Sequence, residues 1–150
     1  MATLRRLGPD DWEDFRDIRL RSLADAPDAF GSTLEREQSF GDADWRRRLG
    51  VPVYAVDDPR PVALGGTFDH AGTPHVWGMW TDPTHRCRGH ARRILDALIP
   101  PGTSARLDVN VTNGAARTAY ERYGFVGTGR LEPLRPGSDQ RTELMVLRCG

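Results

Sequence analysis

The chain has 150 residues, a length that fits one compact domain with a single hydrophobic core. Hydrophobic residues make up 38% and charged residues 28% of it, which is typical of a globular protein and not of a disordered one. Its 21 basic residues, all of them arginine, are balanced by 21 acidic residues. This zero net charge argues against a nucleic-acid-binding protein, because such proteins usually carry a positive excess.

The cysteine content and the apolar segments narrow the protein class further. Cys87 and Cys149 stand far apart and suggest neither a metal site nor a disulfide framework. The first 15 residues lack the apolar core of a signal peptide, and no apolar run approaches the roughly 18 residues that a membrane helix needs. We therefore expect a cytoplasmic protein with no metal, no membrane partner and no nucleic-acid partner.

In the first half of the chain, hydrophobic periodicity and turn residues predict a strand, two helices and three more strands. In chain order these elements cover residues 3–8, 10–25, 43–50, 52–58, 60–70 and 74–82. Residues 26–42 are predicted as a loop or a short helical turn. The predicted buried face of the first helix consists of Trp12, Phe15, Ile18 and Leu23. Asp10 and Glu13 have the spacing of a capping box at its start.

The second half predicts a helix that ends before Pro100, a strand, a second helix and two final strands. The last four elements cover residues 105–111, 113–123, about 125–131 and about 142–148. Asn113 is a natural N-cap and Gly124 a natural C-terminal stop of the second helix. Buried faces are predicted for Ala91, Ile94, Leu95 and Leu98 in the first helix and for Leu107, Val109 and Val111 in the strand. The order of elements predicts a mixed α/β sheet flanked by helices.

The segment DPTHRCRGHARRIL, residues 82–95, places four arginines, two histidines and one glycine around the start of the predicted helix. The first turn of a helix has unpaired N–H groups and a partial positive charge, so it attracts an anion. Gly89 allows a close approach of the backbone, and Arg86 and Arg88 add charge. This pattern suits a pyrophosphate, although it is neither a P-loop nor a dinucleotide fingerprint. A solvated basic helix start is the alternative interpretation.

Two motifs in this half of the chain resemble those of the GNAT superfamily of acetyl-CoA-dependent N-acetyltransferases. Arg86, Gly89 and Ala91 match the acyl-CoA-binding pattern [Q/R]-x-x-G-x-[G/A] of that family. The second signature, N-x-x-A-x-x-x-Y-x-x-x-G-F, is matched by Asn113, Ala116, Tyr120, Gly124 and Phe125. The resemblance is specific over residues 76–126. Cys87, where many members have Gly, and Thr81, in place of a common Val, depart from it.

The resemblance implies a fold, a cofactor and a set of binding residues. It implies one α/β domain over residues 1–150, with a mixed, mostly antiparallel sheet flanked by helices and a splayed central strand pair that holds acyl-CoA. Backbone amides of residues 86–91 would bind the CoA diphosphate, and backbone groups near residue 80 would pair with the pantetheine arm. The residues expected to bind acetyl-CoA are Met79, Trp80, Thr81, Arg86, Cys87, Arg88, Gly89, His90, Ala91 and Asn113.

The resemblance also implies catalytic and acceptor-binding residues. Tyr120 is the expected catalytic residue, donating a hydrogen bond or a proton to the departing CoA sulfur; packing in the core is its alternative role. Phe30 and Trp45 are expected to line the acceptor pocket, with Glu35 or Glu37 attracting a cationic amine, unless they are ordinary core and surface residues. The general base stays unassigned among Glu35, Glu37, Asp69, His70, His75 and Asp108.

The function implied is transfer of an acetyl group from acetyl-CoA to a primary amine, by direct attack in a ternary complex. The expected partner is a small-molecule amine, and a homodimer is possible because dimers are common in the family. A protein N-terminus or lysine as acceptor is one alternative, which an open acidic groove would favour. A non-catalytic CoA-sensing module is another, and a nucleic-acid-binding protein using the arginines of residues 86–93 is the least favoured.

Overall fold

The computed structural model describes residues 1–149, which form five helices and seven strands. The helices are α1 (Trp12–Asp25), α2 (Leu34–Gln38), α3 (Asp42–Arg48), α4 (His90–Leu98) and α5 (Gly114–Tyr123). The strands are β1 (Thr3–Arg6), β2 (Val53–Asp57), β3 (Pro61–His70), β4 (Thr73–Thr81), β5 (Ala105–Asn110), β6 (Val126–Pro133) and β7 (Arg141–Leu147). Every element predicted from the sequence is present, and α2 lies in the segment predicted as a loop or a short helical turn.

All seven strands form one sheet in the order β1-β2-β3-β4-β5-β7-β6. Every neighbouring pair is antiparallel except β4 and β5, which are parallel. Within residues 1–149 the register of β4 and β5 contains a single pair, His75 with Arg106. The two strands therefore separate beyond this pair, which confirms the mostly antiparallel sheet with a splayed central strand pair.

Helices cover both faces of the sheet, each over its own hydrophobic cluster. Under α1 and α3 the buried residues include Trp12, Phe15, Ile18, Leu23, Trp45, Leu64 and Trp80. Under α4 and α5 they include Val76, Ile94, Leu95, Leu98, Leu107, Val109, Phe125 and Met145. The predicted buried faces of α1 and α4 are confirmed, apart from the half-buried Ala91.

A bulge in β4 changes which side chains face which core. Leu64 of β3 pairs with Trp80 and Gly66 pairs with Trp77, so Gly78 and Met79 of β4 stand opposite the single residue Gly65. Gly78 has φ +70°, a conformation that glycine adopts without strain. Because of the extra residue, Trp77 and Trp80 both pack on the α1 side of the sheet. We call Gly78 and Met79 the β4 bulge.

Two local predictions were wrong. The cap of the first helix is not made by Asp10 and Glu13; instead the Asp11 carboxylate accepts a hydrogen bond from the Gly8 N–H at 2.8 Å. Pro9 explains the shift, because its fixed φ favours the first position of a helical turn and so makes Gly8 the cap. Val111 is 46% exposed rather than buried, because β5 ends one residue before it.

Gly124 is expected to be necessary for the end of α5. Its φ of +125° disfavours a side chain, and a Cβ there would lie 3.0 Å from Cδ1 of Leu147. We expect Gly124→Ala to lower the free energy of unfolding by about 1–2 kcal/mol, measured by urea titration. Gly114 in the same helix has no atom within 4 Å of its Cβ position, so Gly114→Ala should cost nothing. Equal stability of the two variants would contradict this role of Gly124.

Candidate active site

The separation of β4 from β5 leaves one edge of β4 open. Beyond His75 the backbone groups of β4 that point towards β5 have no partner in that strand within the described chain. Backbone N–H and C=O groups need partners, and an extended ligand can supply them by adding a strand to such an edge. The open edge includes the β4 bulge, Trp80 and Thr81. It can therefore bind an extended chain such as a pantetheine arm.

The side chain of Trp80 does not point into this opening. Its ring is buried on the α1 side, where Nε1 donates a hydrogen bond to Asp25 Oδ2 at 3.0 Å and the Arg21 guanidinium lies 5.5 Å from the ring centroid. Only the backbone of Trp80 is thus available to a ligand in the strand opening. Its neighbour Thr81 uses its carbonyl oxygen to accept a 3.0 Å hydrogen bond from Arg86 Nε.

Residues 86–91, which we call the helix-start segment, follow β4 after one 3-10 turn. The first hydrogen bond of α4 runs from the Arg93 N–H to the Gly89 carbonyl at 3.1 Å. The N–H groups of His90, Ala91 and Arg92 therefore have no helical acceptor. Gly89 has φ +78°, and no atom lies within 4 Å of the position a Cβ would take. Free N–H groups beside open space fit a diphosphate.

The arginines of the helix-start segment are only loosely engaged. Arg86 also contacts Asp25 at 3.3 Å, and Arg88 lies 3.9 Å from Asp58. Both side chains are more than half exposed, and ion pairs in such positions contribute little to stability. Their charges therefore stay available to a phosphate ligand.

Two other residues of this segment are His90, whose side chain is buried, and Cys87, whose backbone is left-handed. His90 is buried, and its burial, followed by the charges of Arg93 and Arg88, lowers its pKa. It therefore contributes less positive charge to the segment than an exposed histidine would. Cys87 is exposed and adopts φ +63°, a left-handed conformation that costs a residue with a side chain roughly 1–2 kcal/mol. This geometry explains why glycine is common at the matching position in the family.

Tyr120 lies on α5, half-buried, with its ring edge-on to Phe125 at a centroid distance of 6.0 Å. It packs against the same hydrophobic cluster as Met79 of the β4 bulge. Burial alone raises its pKa to about 12, so the phenol is protonated at neutral pH. The hydroxyl of Tyr123, by contrast, donates a 2.7 Å hydrogen bond to Asp96. Of the two tyrosines on α5, Tyr120 is thus the one whose hydroxyl has no partner within residues 1–149.

Asn113 caps the same helix. Its Oδ1 accepts a hydrogen bond from the Ala116 N–H at 3.1 Å, as its sequence position predicts. The cap fixes the start of α5 and thereby the direction in which Tyr120 points. A contact of Asn113 with the cofactor would have to use the other end of its side-chain amide.

The three residues predicted to bind the acceptor lie outside the lining of the cavity on this side of the sheet, although Phe30 and Trp45 belong to one hydrophobic cluster. Trp45 is 1% exposed and packs edge-on against Phe15 and Phe40, so it is a core residue. Phe30 is buried too, and Glu35 is exposed on α2. The structure instead has a cavity of about 390 Å³ between α1, α2 and α3, which we call the arginine cavity. It is lined by Arg19, Ser32, Arg36, Glu37, Phe40, Asp44, Arg47 and Arg48.

A buried cluster of charges forms the wall of the arginine cavity. Glu37 is 1% exposed and accepts hydrogen bonds from Arg19 Nε and Nη2, both at 3.0 Å, and from Arg48 Nη1 at 2.7 Å. Burial alone would raise the pKa of Glu37, but the two arginines outweigh it and lower the pKa to about 2. Glu37 is therefore ionised at neutral pH and far too weak a base to deprotonate an amine.

Arg19 was not predicted as a site residue, although the sequence contains a signal for it. Arg19 stands between Phe15, Ile18 and Leu23 on the apolar face of α1. A charged residue in a buried stripe needs a partner in the fold. The identity of that partner depends on how α2 packs against α1, which local sequence does not reveal.

Two of the six candidate bases meet on the α1 side of the strand opening. His75 Nδ1 accepts a 3.1 Å hydrogen bond from Arg106 Nε, so the ring proton lies on Nε2, 3.2 Å from Asp108 Oδ2. Asp69 and His70 are exposed at the turn between β3 and β4. The pair of His75 and Asp108 sits where the strands begin to separate.

Replacing Glu37, which lies in the wall of the arginine cavity, should destabilise the protein. We expect Glu37→Gln to lower the free energy of unfolding at pH 7 by about 3–5 kcal/mol, because the buried Arg19 and the half-buried Arg48 lose their counter-charge. Since the pKa of Glu37 is lowered in the folded state, this stabilisation is present above about pH 4.5 and is lost as the pH falls towards 2. Urea titration at pH 7 and pH 3 measures both effects.

Glu35→Gln is the matched control for this variant, because Glu35 is exposed on the same helix. It should change the free energy of unfolding by less than about 0.5 kcal/mol. A Glu37→Gln variant as stable as this control at pH 7 would contradict the assigned role of the buried charges.

A strand that separates from its neighbour beside an unpaired helix N-terminus is the arrangement expected of acyl-CoA-dependent acyltransferases. The model of the "Acetyltransferase (GNAT) family" matches residues 11–125, and the chain belongs to this family. It is an acyl-CoA-dependent N-acyltransferase with acetyl-CoA as co-substrate. No group of His, Cys, Asp and Glu within residues 1–149 has the arrangement of a metal site, and no helix there is long and apolar enough to cross a membrane.

Solved structures share the fold at low sequence identity. A putative acetyltransferase, yncA, from Salmonella typhimurium with its cofactor acetyl-CoA is 18% identical with a TM-score of 0.75, covering 100% of this chain and 95% of that one. The ribosomal-protein-S18-alanine N-acetyltransferase from Escherichia coli is also 18% identical, with a TM-score of 0.72 and the same coverage.

A third structure represents another kind of acceptor. The spermidine N-acetyltransferase SpeG chimera from Vibrio cholerae and hSSAT is 20% identical with a TM-score of 0.67, covering 98% of this chain and 94% of that one. A search of curated proteins by sequence gives no significant match. The acceptors in the names of these two enzymes, a protein alanine and spermidine, differ in kind, so fold similarity alone does not select one.

Proposed function

We propose that the whole chain acts as one N-acetyltransferase domain that transfers the acetyl group of acetyl-CoA to a primary amine of a small molecule. The observation that carries the proposal is the open edge of β4, which leads from the helix-start segment to the β4 bulge. Met79 of the bulge and Tyr120 pack against one hydrophobic cluster, which supports a common site for the open edge and the free phenol. Direct attack in a ternary complex suits this single opening.

Different residues of the chain would bind the diphosphate, the pantetheine arm and the thioester of acetyl-CoA. The N–H groups of the helix-start segment bind the diphosphate, and the backbone of Met79, Trp80 and Thr81 pairs with the pantetheine arm. Bound acetyl-CoA supplies a thioester as acyl donor. A backbone N–H at Met79 or Trp80 holds the thioester carbonyl oxygen as negative charge develops on it; loss of such a donor costs on the order of 10²–10³ in rate in other acyl transfers.

In this proposal Tyr120 stabilises the leaving group, which is the CoA sulfur. A C–N bond forms between the neutral amine and the acetyl carbon as the C–S bond breaks. The amine nitrogen releases one proton to solvent, and CoA leaves as a thiolate whose sulfur carries the negative charge. With a pKa of about 12, against about 8.5 for an ordinary thiol, the phenol is a weaker acid than the departing thiol. Tyr120 therefore stabilises the sulfur chiefly by donating a hydrogen bond.

A protein acceptor receives no comparable support. An open acidic groove would favour the binding of a basic protein segment, and the arginine cavity has the opposite charge. Four arginines line it against two carboxylates. A small amine is therefore the preferred acceptor class.

Binding of acetyl-CoA tests the helix-start segment. Gly89→Trp fills the open space beside the free N–H groups, so we expect micromolar binding at one site per chain to be weakened at least about tenfold, or 1.4 kcal/mol, in calorimetric titration. Gly102→Trp is the control, because Gly102 also has a positive φ and no atom within 4 Å of its Cβ position. Equal binding by both variants would show that the diphosphate lies elsewhere.

Turnover tests Tyr120. Tyr120→Phe should lower kcat by on the order of 10²-fold while the Kd of acetyl-CoA stays within about twofold, because only the leaving sulfur loses its partner. Tyr123→Phe should leave both unchanged, since that hydroxyl is bound to Asp96. Release of the CoA thiol gives the rate. Because the pKa of Tyr120 is about 12, its titration should not affect kcat below about pH 10.

The same assay separates the enzyme from a CoA-sensing module. If the wild-type protein binds acetyl-CoA but no amine in a broad panel causes release of the CoA thiol, the sensing role would be favoured.

A further inference from the structure

The arginine cavity contains more positive than negative charge. Its lining has four arginines and two carboxylates, an excess of two positive charges. Arg48 is paired with Glu37 and Arg47 with Asp44 at 3.2 Å. Arg36 has no ion pair within residues 1–149, and its guanidinium lies 5.9 Å from the Phe40 ring centroid. The excess charge is therefore free to attract an anion.

Two polar atoms of the lining are buried without a partner. Arg19 is 4% exposed, and while its Nε and Nη2 donate to Glu37, its Nη1 has no hydrogen-bond partner in the described chain. The same holds for the hydroxyl of Ser32. Leaving a buried donor unpaired costs about 1–3 kcal/mol, more for a charged group. A guanidinium N–H and a hydroxyl are both groups that bind an anionic oxygen.

The free nitrogen of Arg19 also lies beside the reaction site proposed above. A Cβ on Gly78 of the β4 bulge would be 3.5 Å from Arg19 Nη1. The guanidinium carbon of Arg19 is 4.7 Å from the Phe30 ring centroid and 5.8 Å from that of Trp77, which adjoins the bulge in β4. One side chain thus connects the arginine cavity with the strand segment proposed to hold the thioester.

We propose that the acceptor is a small amine that carries an anionic group, and that Arg19, Ser32 and Arg36 bind this group while the amine faces the β4 bulge. The proposal rests on the proposed acetyltransferase function and names the substrate class for it. An amino acid or an aminoalkyl phosphate has this chemistry. A polyamine does not, because a second cation would meet the positive charge of the cavity. The predicted attraction of a cationic amine by Glu35 finds no support, since Glu35 does not line the cavity.

A charge reversal gives the sharpest kinetic test. The acceptor panel contains the twenty standard amino acids, their C-terminal amides, O-phosphoethanolamine and spermidine. For wild type we expect kcat/KM to be at least about tenfold higher for anionic acceptors than for the matched amides and for spermidine. Arg36→Glu should lower kcat/KM for anionic acceptors about tenfold and raise it for spermidine, with little change in KM for acetyl-CoA.

Arg130→Glu is the control, because Arg130 is an exposed arginine on the edge strand β6, outside the cavity. Ser32→Ala is a second variant that does not disturb the buried charges, and it should weaken anionic acceptors alone. Two results together would overturn the inference while leaving the acetyltransferase function standing. One is that amides or spermidine are acetylated as fast as the amino acids. The other is that Arg36→Glu and Arg130→Glu give the same kcat/KM values over the acceptor panel. Comparison of kcat/KM for O-phosphoethanolamine and for the amino acids shows whether the cavity prefers a phosphate or a carboxylate.

A binding measurement tests the anion site without turnover. Titration of the full chain with sodium acetate at constant ionic strength should shift the arginine side-chain NMR signals of Arg19 and Arg36, and acetamide should leave them unchanged. If no amine in the panel is acetylated but acetate produces these shifts, the acetyltransferase proposal fails and the anion site stands. Absence of the shifts in both titrations overturns the anion site.

Discussion

The hydrogen bonding of β4 is the constraint on which the rest of the structure depends. Along one edge this strand pairs with β3, whereas along the other it meets β5 at a single residue pair. Polar backbone groups in the centre of a sheet are seldom left without partners. The sheet stays in one piece because the hydrophobic cluster under α4 and α5 spans the gap, with Val56 and Ala63 on one side of it and Leu107 and Met145 on the other. Between β4 and β5 there remains a slot lined by main-chain groups, whose shape suits an extended ligand.

The side chains around the slot follow from this backbone arrangement. The bulge at Gly78 and Met79 turns both Trp77 and Trp80 towards α1, so the aromatic rings fill the core on that side and do not block the slot. The helix-start segment and the arginine cavity differ in the groups they offer to a ligand. The helix-start segment offers main-chain N–H groups at an exposed helix N-terminus, whereas in the arginine cavity the guanidinium groups of Arg19 and Arg48 are held by one carboxylate, that of Glu37. Under the proposed function, recognition would depend on backbone geometry in the segment and on side-chain charge in the cavity.

Much of the fold could be predicted from sequence because its signals are local. The apolar face of α1, the cap at Asn113 and the stop at Gly124 depend on residues within one or two helical turns, and all three are present in the structure. The pairing of Arg19 with Glu37 could not be predicted, since 18 residues and a change of helix separate them. The resemblance to the family predicted that Trp45 lines the acceptor pocket, but packing against Phe15 and Phe40 holds it in the core.

The use of arginine for every basic residue, in the arginine cavity and elsewhere, has a chemical consequence beyond charge. A guanidinium stays protonated over the whole physiological pH range and offers no nucleophilic nitrogen, whereas a lysine near a thioester is itself an amine that can attack it. With 21 arginines and no lysine, these 150 residues contain no side-chain amine at all. These residues therefore contain no side-chain amine that could compete with the acceptor amine for the acetyl group of acetyl-CoA. N-acetylation of a lysine, which would consume acetyl-CoA and remove a positive charge, cannot occur within them.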